Sequence, residues 1–464
     1  MLTTMLLSRF RTLEEYGTYS QMLLAINLVA TFFMLGLPNS INYFIGRAET
    51  EEEKQKFLSV YYTASTVLSF VAGLLLVMST PILVAYFKNP LIKGFWYMLA
   101  VYPWNMIVMS SIDNLLVCYQ KVNLLTAYKV GNSLFTLVVV GIIQVLGWGF
   151  DEYLIVYLIG QSCFTLWIYY MAWRLASPLT VMWDMQIFSN IMRFSMPIAL
   201  SSVMGTLTAE VDKLVISYYY PTEQVAIYTN AARELPVSIV AASLTAVLLP
   251  QMVRSLKLGK KEQAISLWKN SVILSYAFVA LIAFGVITFA PDVLNFLYSE
   301  KYVEGVSVFR VYSFILLFRC TYFGIVLNSI GETKFIFLSS LVTLVANFFL
   351  NFVFVYLFGF IGPAISTLLA TALSAILTLF VTAKKMGISL QEIFPWKQCA
   401  YITIINIGAG IFFDYVKGVW RLDTNGGSLL ESIVLGMVWT SIYALILFKL
   451  IITSWKELNK GKHS

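Results

Sequence analysis

Charge is scarce in this chain. Only 12% of its 464 residues are Asp, Glu, Lys or Arg, roughly half the share of a soluble domain. Against this, 59% are hydrophobic and the mean hydropathy is +0.79. Histidine is scarcer still, with His463 in the terminal tail the single example. The four cysteines, Cys118, Cys163, Cys320 and Cys399, stand singly inside apolar stretches and read as small buried packing residues. These shortages exclude a catalytic metal cluster and any Ser–His or Cys–His nucleophile, and they call for no cofactor. Long polar loops are missing too. The longest, about 417–427, is too small to form an active site of its own.

What the chain does have is a succession of apolar runs of membrane-crossing length, about 20 residues each. They predict an all-α polytopic membrane protein with thirteen full spans near 19–45, 57–86, 93–118, 123–147, 152–174, 194–218, 224–250, 265–290, 306–329, 335–357, 361–383, 399–416 and 430–452. Residues 1–8 form a stub. The halves echo each other: Glu14-Glu15-Tyr16-Gly17-Thr18-Tyr19-Ser20 returns, blurred, as Glu223-Gln224-Val225-Ala226-Ile227-Tyr228-Thr229, 209 positions later. Leu37-Pro38 is matched by Leu249-Pro250, and Gly147-Trp148-Gly149-Phe150 by Phe358-Gly359-Phe360. Duplicated apolar halves mark many transporters. The repeat predicts an N-terminal lobe over 1–180 (the stub plus five spans), a C-terminal lobe over 181–395 (six spans), and two additional helices with a basic tail over 396–464. Projected back by 209, span 194–218 aligns Met1 with Glu210, so the chain is expected to begin inside its first helix. A thirteen-span protein with an interfacial N-terminus is the alternative. Counting the stub as span 1, the full spans are spans 2 to 14.

Cations sort by side. Of 31 Lys and Arg, 20 fall on the side of the loop after span 2, seven on the other, and four within spans. The positive-inside rule makes the richer side, with the C-terminus, cytoplasmic. The net charge of +7 therefore needs no nucleic-acid partner; it reflects topology and attraction to anionic lipid.

The charges inside spans are the candidate functional groups, since each costs about 2.5–3.5 kcal/mol at mid-membrane and so needs a partner or an aqueous cavity. In span 7, Ser202, Thr206, Glu210, Lys213 and Ser217 share one stripe at 100° per residue, while Asp212 points elsewhere. Span 8 returns through Tyr220-Pro221-Thr222 and brings Arg233 to within about 6 Å of the depth of Lys213. Glu210, Lys213, Arg233 and Glu234 then form either an anion-binding neighbourhood or a self-neutralising cluster that ties the hairpin. In span 10, Arg319 is expected near the centre, on a face with Tyr312 and Tyr322. It reads as an anion-binding cation, because guanidinium matches phosphate oxygens, or as the partner of an acid or carbonyl on a neighbouring span. Arg310, half a turn around, is expected to snorkel. Asp113, near the cytoplasmic end of span 4, reads as an interfacial acid or as a proton or sodium site. Pro38, Pro103, Pro197, Pro250 and Pro363 are candidate kinks.

Arg193-Phe194-Ser195-Met196-Pro197, Asp212-Lys213-Leu214-Val215-Ile216 and Glu223-Gln224-Val225-Ala226-Ile227-Tyr228 resemble the central signature of the polysaccharide flippases. These belong to the multidrug/oligosaccharidyl-lipid/polysaccharide exporter superfamily. Glu14 to Tyr19, Gly36-Leu37-Pro38-Asn39-Ser40 and Gly331-Glu332-Thr333-Lys334 resemble the same family's loop after helix 1, end of helix 2 and loop after helix 10. The shortened helix 1 departs from the pattern, so no residue is carried over from it.

The resemblance implies a fourteen-helix fold: two six-helix lobes around a central cavity plus two C-terminal helices, alternating between inward- and outward-open states. It implies translocation of an undecaprenyl-pyrophosphate-linked oligosaccharide from the cytoplasmic to the periplasmic leaflet of a bacterial cytoplasmic membrane, for O-antigen or another surface polysaccharide. Other membrane proteins of polysaccharide assembly would be partners. Arg319, Arg233 and Lys213 would hold the pyrophosphate; Tyr312, Tyr322, Asn230 and Ser202 would line the sugar path. Glu210, Glu234, Asp212 and Asp113 would serve ion coupling or charge pairing. A drug or cation antiporter and a lipid II flippase are alternatives of the same superfamily. A membrane polymerase or ligase is a remote one, since it would need a large outer loop that this chain lacks.

Overall fold

The computed structural model describes residues 2–176, 178–419 and 427–460. Arg421 of the predicted outer loop, and Lys462 and His463 of the tail, lie outside the described residues. Every described element is a helix. Contacts divide the chain into two units, Met1–Ala226 and Ile227–Ser464.

The first unit contains α1 (Leu2–Phe10), α2 (Leu13–Met34), α3 (Leu37–Arg47), α4 (Glu51–Met78), α5 (Thr80–Phe87), a 3₁₀ turn (Pro90–Phe95), α6 (Trp96–Met109), α7 (Ile112–Cys118), α8 (Val122–Val145), α9 (Phe150–Leu175) and α10 (Met185–Tyr219). The unit boundary falls inside α11 (Thr222–Ala231). The repeated motif opens α2 with a capping box: Glu15 N–H donates to Thr12 Oγ1 at 3.1 Å and Thr12 N–H to Glu15 Oε2 at 2.8 Å, satisfying two helix-start amides. Gly17, one turn on, packs so closely that a Cβ there would lie 2.1 Å from the Thr222 carbonyl oxygen.

Predicted spans 2, 3 and 4 are each interrupted. α2 gives way to α3 through Leu35 and Gly36, both left-handed (φ 49° and 65°), with Pro38 in the first turn of α3, where its missing N–H costs nothing. A Cβ at Gly36 would lie 2.7 Å from the Ser195 carbonyl oxygen of α10, so glycine also permits this contact. α4 yields to α5 at Ser79, and α6 to α7 at Ser110–Ser111. Ile41, Leu58, Tyr61, Leu115 and Ile168 are part of the unit's apolar core. α9 presents a polar stripe at i, i+4 spacing to this interior. Tyr157 meets the Tyr102 hydroxyl at 2.8 Å, Thr165 donates to Asn105 at 2.8 Å, and Tyr169 accepts from the Trp104 indole at 3.0 Å. All these partners are neutral.

The second unit continues with α12 (Ser238–Lys257), α13 (Lys261–Thr288), α14 (Ala290–Tyr298), a 3₁₀ turn (Glu300–Gly305), α15 (Val306–Phe318), α16 (Ile325–Ser329), α17 (Thr333–Phe358), a short 3₁₀ turn (Gly359–Ile361), α18 (Gly362–Met386), α19 (Leu390–Ile393), α20 (Trp396–Val419) and α21 (Gly427–Lys460). α4, α5, the 3₁₀ turn and α6 recur here, 210 positions later at Glu51 and Lys261, as α13, α14, the second 3₁₀ turn and α15. α13 packs against α12, α15, α20 and α21. Phe413 of α20 stacks on Trp439 of α21 at 5.4 Å, and the Tyr443 hydroxyl donates to the Ala277 carbonyl at 2.7 Å. Lys417 pairs with Asp292 of α14, which also accepts from Ser432 Oγ at 2.7 Å.

Among the described residues, 10 helices are long and apolar enough to cross a membrane, which makes the chain a multi-pass membrane protein. Thirteen spans were expected. Spans 93–118 and 306–329 drop out because each is split, and 335–357 and 361–383 are counted together in the 53-residue stretch Lys334–Met386.

Candidate functional site

Spans 8 and 10, expected to be continuous, are broken at Arg233–Glu234 and at Arg319. Span 8 stops at Ala231 and resumes at Ser238. Pro236 explains the gap: it has no N–H to donate, and it forces Leu235 away from helical geometry. Arg233 and Glu234 sit in this gap. Span 10 stops at Phe318 and resumes at Ile325, so Arg319 is not mid-helix but the first residue after α15.

The two gaps are joined. Arg319 donates from Nη2 and Nε to a single oxygen, Glu234 Oε1, at 2.8 and 3.2 Å. Of the two readings of Arg319, the structure thus has the acid on a neighbouring span. The pair is open, with side-chain exposures of 46% for Arg319 and 32% for Glu234, so as a stabilising contact it is worth at most about 1 kcal/mol. The span 10 gap is a built feature. The indole of fully buried Trp268 on α13 donates to Thr321 Oγ1 at 3.0 Å, and Cys320 is buried beside it. The half-exposed Tyr322 ring lies over Gly324, where a Cβ would come within 2.9 Å of the phenol. Arg233 is exposed at its own gap and acts on α14. Burial raises the Tyr298 phenol above its ordinary pKa, and the Arg233 charge pulls it back.

Tyr312 is buried in α15 and Asn230 is fully buried near the end of α11, so neither shares the exposure of Arg319 and Tyr322. Arg310, expected to snorkel, donates from Nε to the Ile287 carbonyl at 3.1 Å, near the end of α13, where a cation complements the helix dipole.

In the first unit, Lys213 closes on its own helix, at 2.8 Å from Glu210 Oε2 and 3.0 Å from the Ala209 carbonyl. The span 7 stripe runs from exposed Ser202 to fully buried Ser217, and Asp212 is fully buried. Asp113 of α7 pairs with Lys129 of α8 at 2.6 Å, both side chains more than half exposed. Among the described residues no group of three or more His, Cys, Asp or Glu is arranged to hold a metal.

Residues 6–307 match the family described as "Polysaccharide biosynthesis protein". The chain belongs to that family. A membrane protein of Methanocaldococcus jannaschii is 25% identical over 60% of this chain, and a second from the same organism is 26% identical over 77%. The match spans 54% of the first of these and 87% of the second. A Haloferax volcanii protein named "Probable low-salt glycan biosynthesis flippase Agl15" is 19% identical over 49% of this chain and 48% of its own. Among solved structures, the lipid II flippase MurJ in an inward closed conformation superposes with a TM-score of 0.77 at 16% identity, covering 97% of this chain and 96% of that one. An inward-facing multidrug-resistance MATE transporter gives 0.68 at 17% identity, covering 83% and 93%. The resemblance read from the sequence, to flippases of the multidrug/oligosaccharidyl-lipid/polysaccharide exporter superfamily, is borne out at the level of family and fold.

The family match takes in Lys213, Arg233 and Glu234 and ends before Arg319. Sequence reasoning missed the two gaps and the link between them. Pro236 was the available signal for the first, inside a run read as continuous. For the second, Arg319, the hydroxyl of Thr321 and Gly324 interrupt the apolar pattern.

Proposed function

We propose that this protein translocates an undecaprenyl-pyrophosphate-linked oligosaccharide from the cytoplasmic to the periplasmic leaflet by alternating access, with its C-terminus cytoplasmic. The reading is of a transporter, with no residue assigned to catalysis. The observation that carries it is Arg319: a half-exposed guanidinium on non-helical backbone, inside a largely apolar span. Such a group matches phosphate oxygens in charge and geometry, and non-helical backbone at membrane depth is tolerated where it lines a polar cavity. Arg233, exposed in the facing gap, supplies a second cation. Tyr322 offers an aromatic face and hydroxyl for sugar, while Tyr312 and Asn230, both buried, would reach the path only after a rearrangement. The first unit offers Lys213, with Glu210 as its counter-ion, and Ser202 at the open end of the stripe. The lipid tail needs no site, since it can stay in the bilayer.

Lipid II is the second reading, favoured by the whole-chain superposition on MurJ; its diphosphate head would use the same arginine. Arg319→Ala, produced at wild-type level in a strain whose only copy it is, tests the proposal. The expected result is at least a roughly 10-fold loss of surface polysaccharide, the cost of a charge-assisted hydrogen bond. Unchanged polysaccharide overturns it, and loss of viability with polysaccharide intact favours lipid II.

A further inference from the structure

The arginine proposed to receive the phosphate already holds an anion. Glu234 spends one oxygen on it, Oε1, which takes both the Nε and the Nη2 hydrogens of Arg319. A phosphate can meet the same guanidinium with two oxygens at once, so it can displace a carboxylate that holds by one. The pair is also only partly covered by protein, so an incoming phosphate can reach the guanidinium. The carboxylate cannot diffuse away, because Glu234 is tethered in the span 8 gap between Ala231 and Ser238.

We propose that Glu234 is a resident counter-ion that competes with the substrate's diphosphate for Arg319 and thereby sets how fast the diphosphate leaves. This rests on the reading of Arg319 as the phosphate contact. With no substrate, Glu234 neutralises a cation that would otherwise stand uncompensated inside a span. With substrate, it waits beside the phosphate and recaptures the arginine as the headgroup departs. Tight binding alone does not speed translocation, since affinity felt equally before and after the crossing only slows release. Glu234 is thus a positioning residue that acts through Arg319 and makes no contact with the lipid.

The test uses the full chain in nanodiscs, with undecaprenyl diphosphate as the probe, and measures affinity and dissociation rate. Glu234→Gln keeps the shape and one acceptor oxygen but removes the competing charge. It should bind the probe roughly 2- to 5-fold tighter, the value of an exposed ion pair, with the change carried by slower dissociation. Glu234→Asp retains the carboxylate and should return towards wild type, which a merely structural role for the side chain does not predict. Arg319→Ala should lose binding at least 10-fold. If Glu234→Gln binds no tighter while Arg319→Ala loses binding, the counter-ion role is overturned and the phosphate site stands. If Arg319→Ala binds like wild type, both fall. Should Glu234→Gln be produced poorly, Glu234→Ala serves in its place, with the same tighter binding expected and the same contrary result decisive.

Discussion

The two units interrupt corresponding spans and close the interruptions with different chemistry. In the first, the break in span 4 at Ser110–Ser111 is held from span 3 by the Tyr62 hydroxyl, 3.1 Å from Ser111 Oγ. In the second, the break in span 10 is held from span 9 by the Trp268 indole on Thr321. To this point the halves agree: an aromatic donor from the preceding span meets a hydroxyl in the gap. They part over the link to the span before. In the first unit Asn42 of α3 donates to Asn114 of α7 at 2.8 Å, and Asn114 donates to the Pro38 carbonyl at 2.8 Å. In the second unit the link is Glu234 to Arg319. A neutral amide pair satisfies backbone and side chains and does nothing more. An ion pair in the same role adds exchangeable charge, so one duplicated scaffold yields a structural crossing in one half and a candidate anion site in the other.

The comparison breaks most visibly if charge at the second crossing proves merely structural. Exchanging the partners, Glu234→Arg with Arg319→Glu, keeps an ion pair but moves the cation to the other backbone. The expected outcome is normal protein level with translocation reduced about 10- to 100-fold, read as surface polysaccharide; wild-type polysaccharide would make the pair a strut. A second, more buried pair in the same unit supplies the contrast. Lys417→Met strands the Asp292 carboxylate, only 9% exposed, and should cost up to about 3 kcal/mol of stability. The change is read as a lower melting temperature, with translocation per folded molecule preserved. The shared part of the scaffold is sharpened by Trp268→Phe and Tyr62→Phe, each expected to cost about 1 kcal/mol. Unequal losses would show that the two breaks are not equivalent. Asn114→Ala is expected to cost a comparable amount, about 0.5–1.5 kcal/mol, with polysaccharide output tracking protein amount.

Much of the scaffold is legible in the sequence because membrane burial writes itself as long apolar runs and duplication writes itself as an offset. The Glu14–Ser20 echo starts at Glu223, and the helices it opens, α2 and α11, begin at Leu13 and Thr222. The breaks are less legible. Hydropathy averages over a window, and Pro236 or Gly324 changes the average little while changing the backbone completely. Pro250, the proline the repeat singles out, lies inside a continuous helix, α12. An acid on a neighbouring span was one reading of Arg319, but that the acid is Glu234 could not be read. The partners are 85 residues apart, and only the meeting of two non-helical segments puts them side by side. Among the predicted site residues, exposure favours Arg319, Arg233 and Tyr322, whereas Tyr312 and Asn230 are packed away because an apolar span hides polar groups as readily as it displays them.

The most direct test is translocation itself: purified chain in proteoliposomes, supplied with a fluorescent short oligosaccharide on undecaprenyl diphosphate, with leaflet exchange followed by quenching. Wild type should exchange the lipid, and Arg319→Ala, equally folded and incorporated, should do so at no more than about one-tenth the rate. Exchange by Arg319→Ala at the wild-type rate would contradict the claim that the broken span of the second unit receives the phosphate.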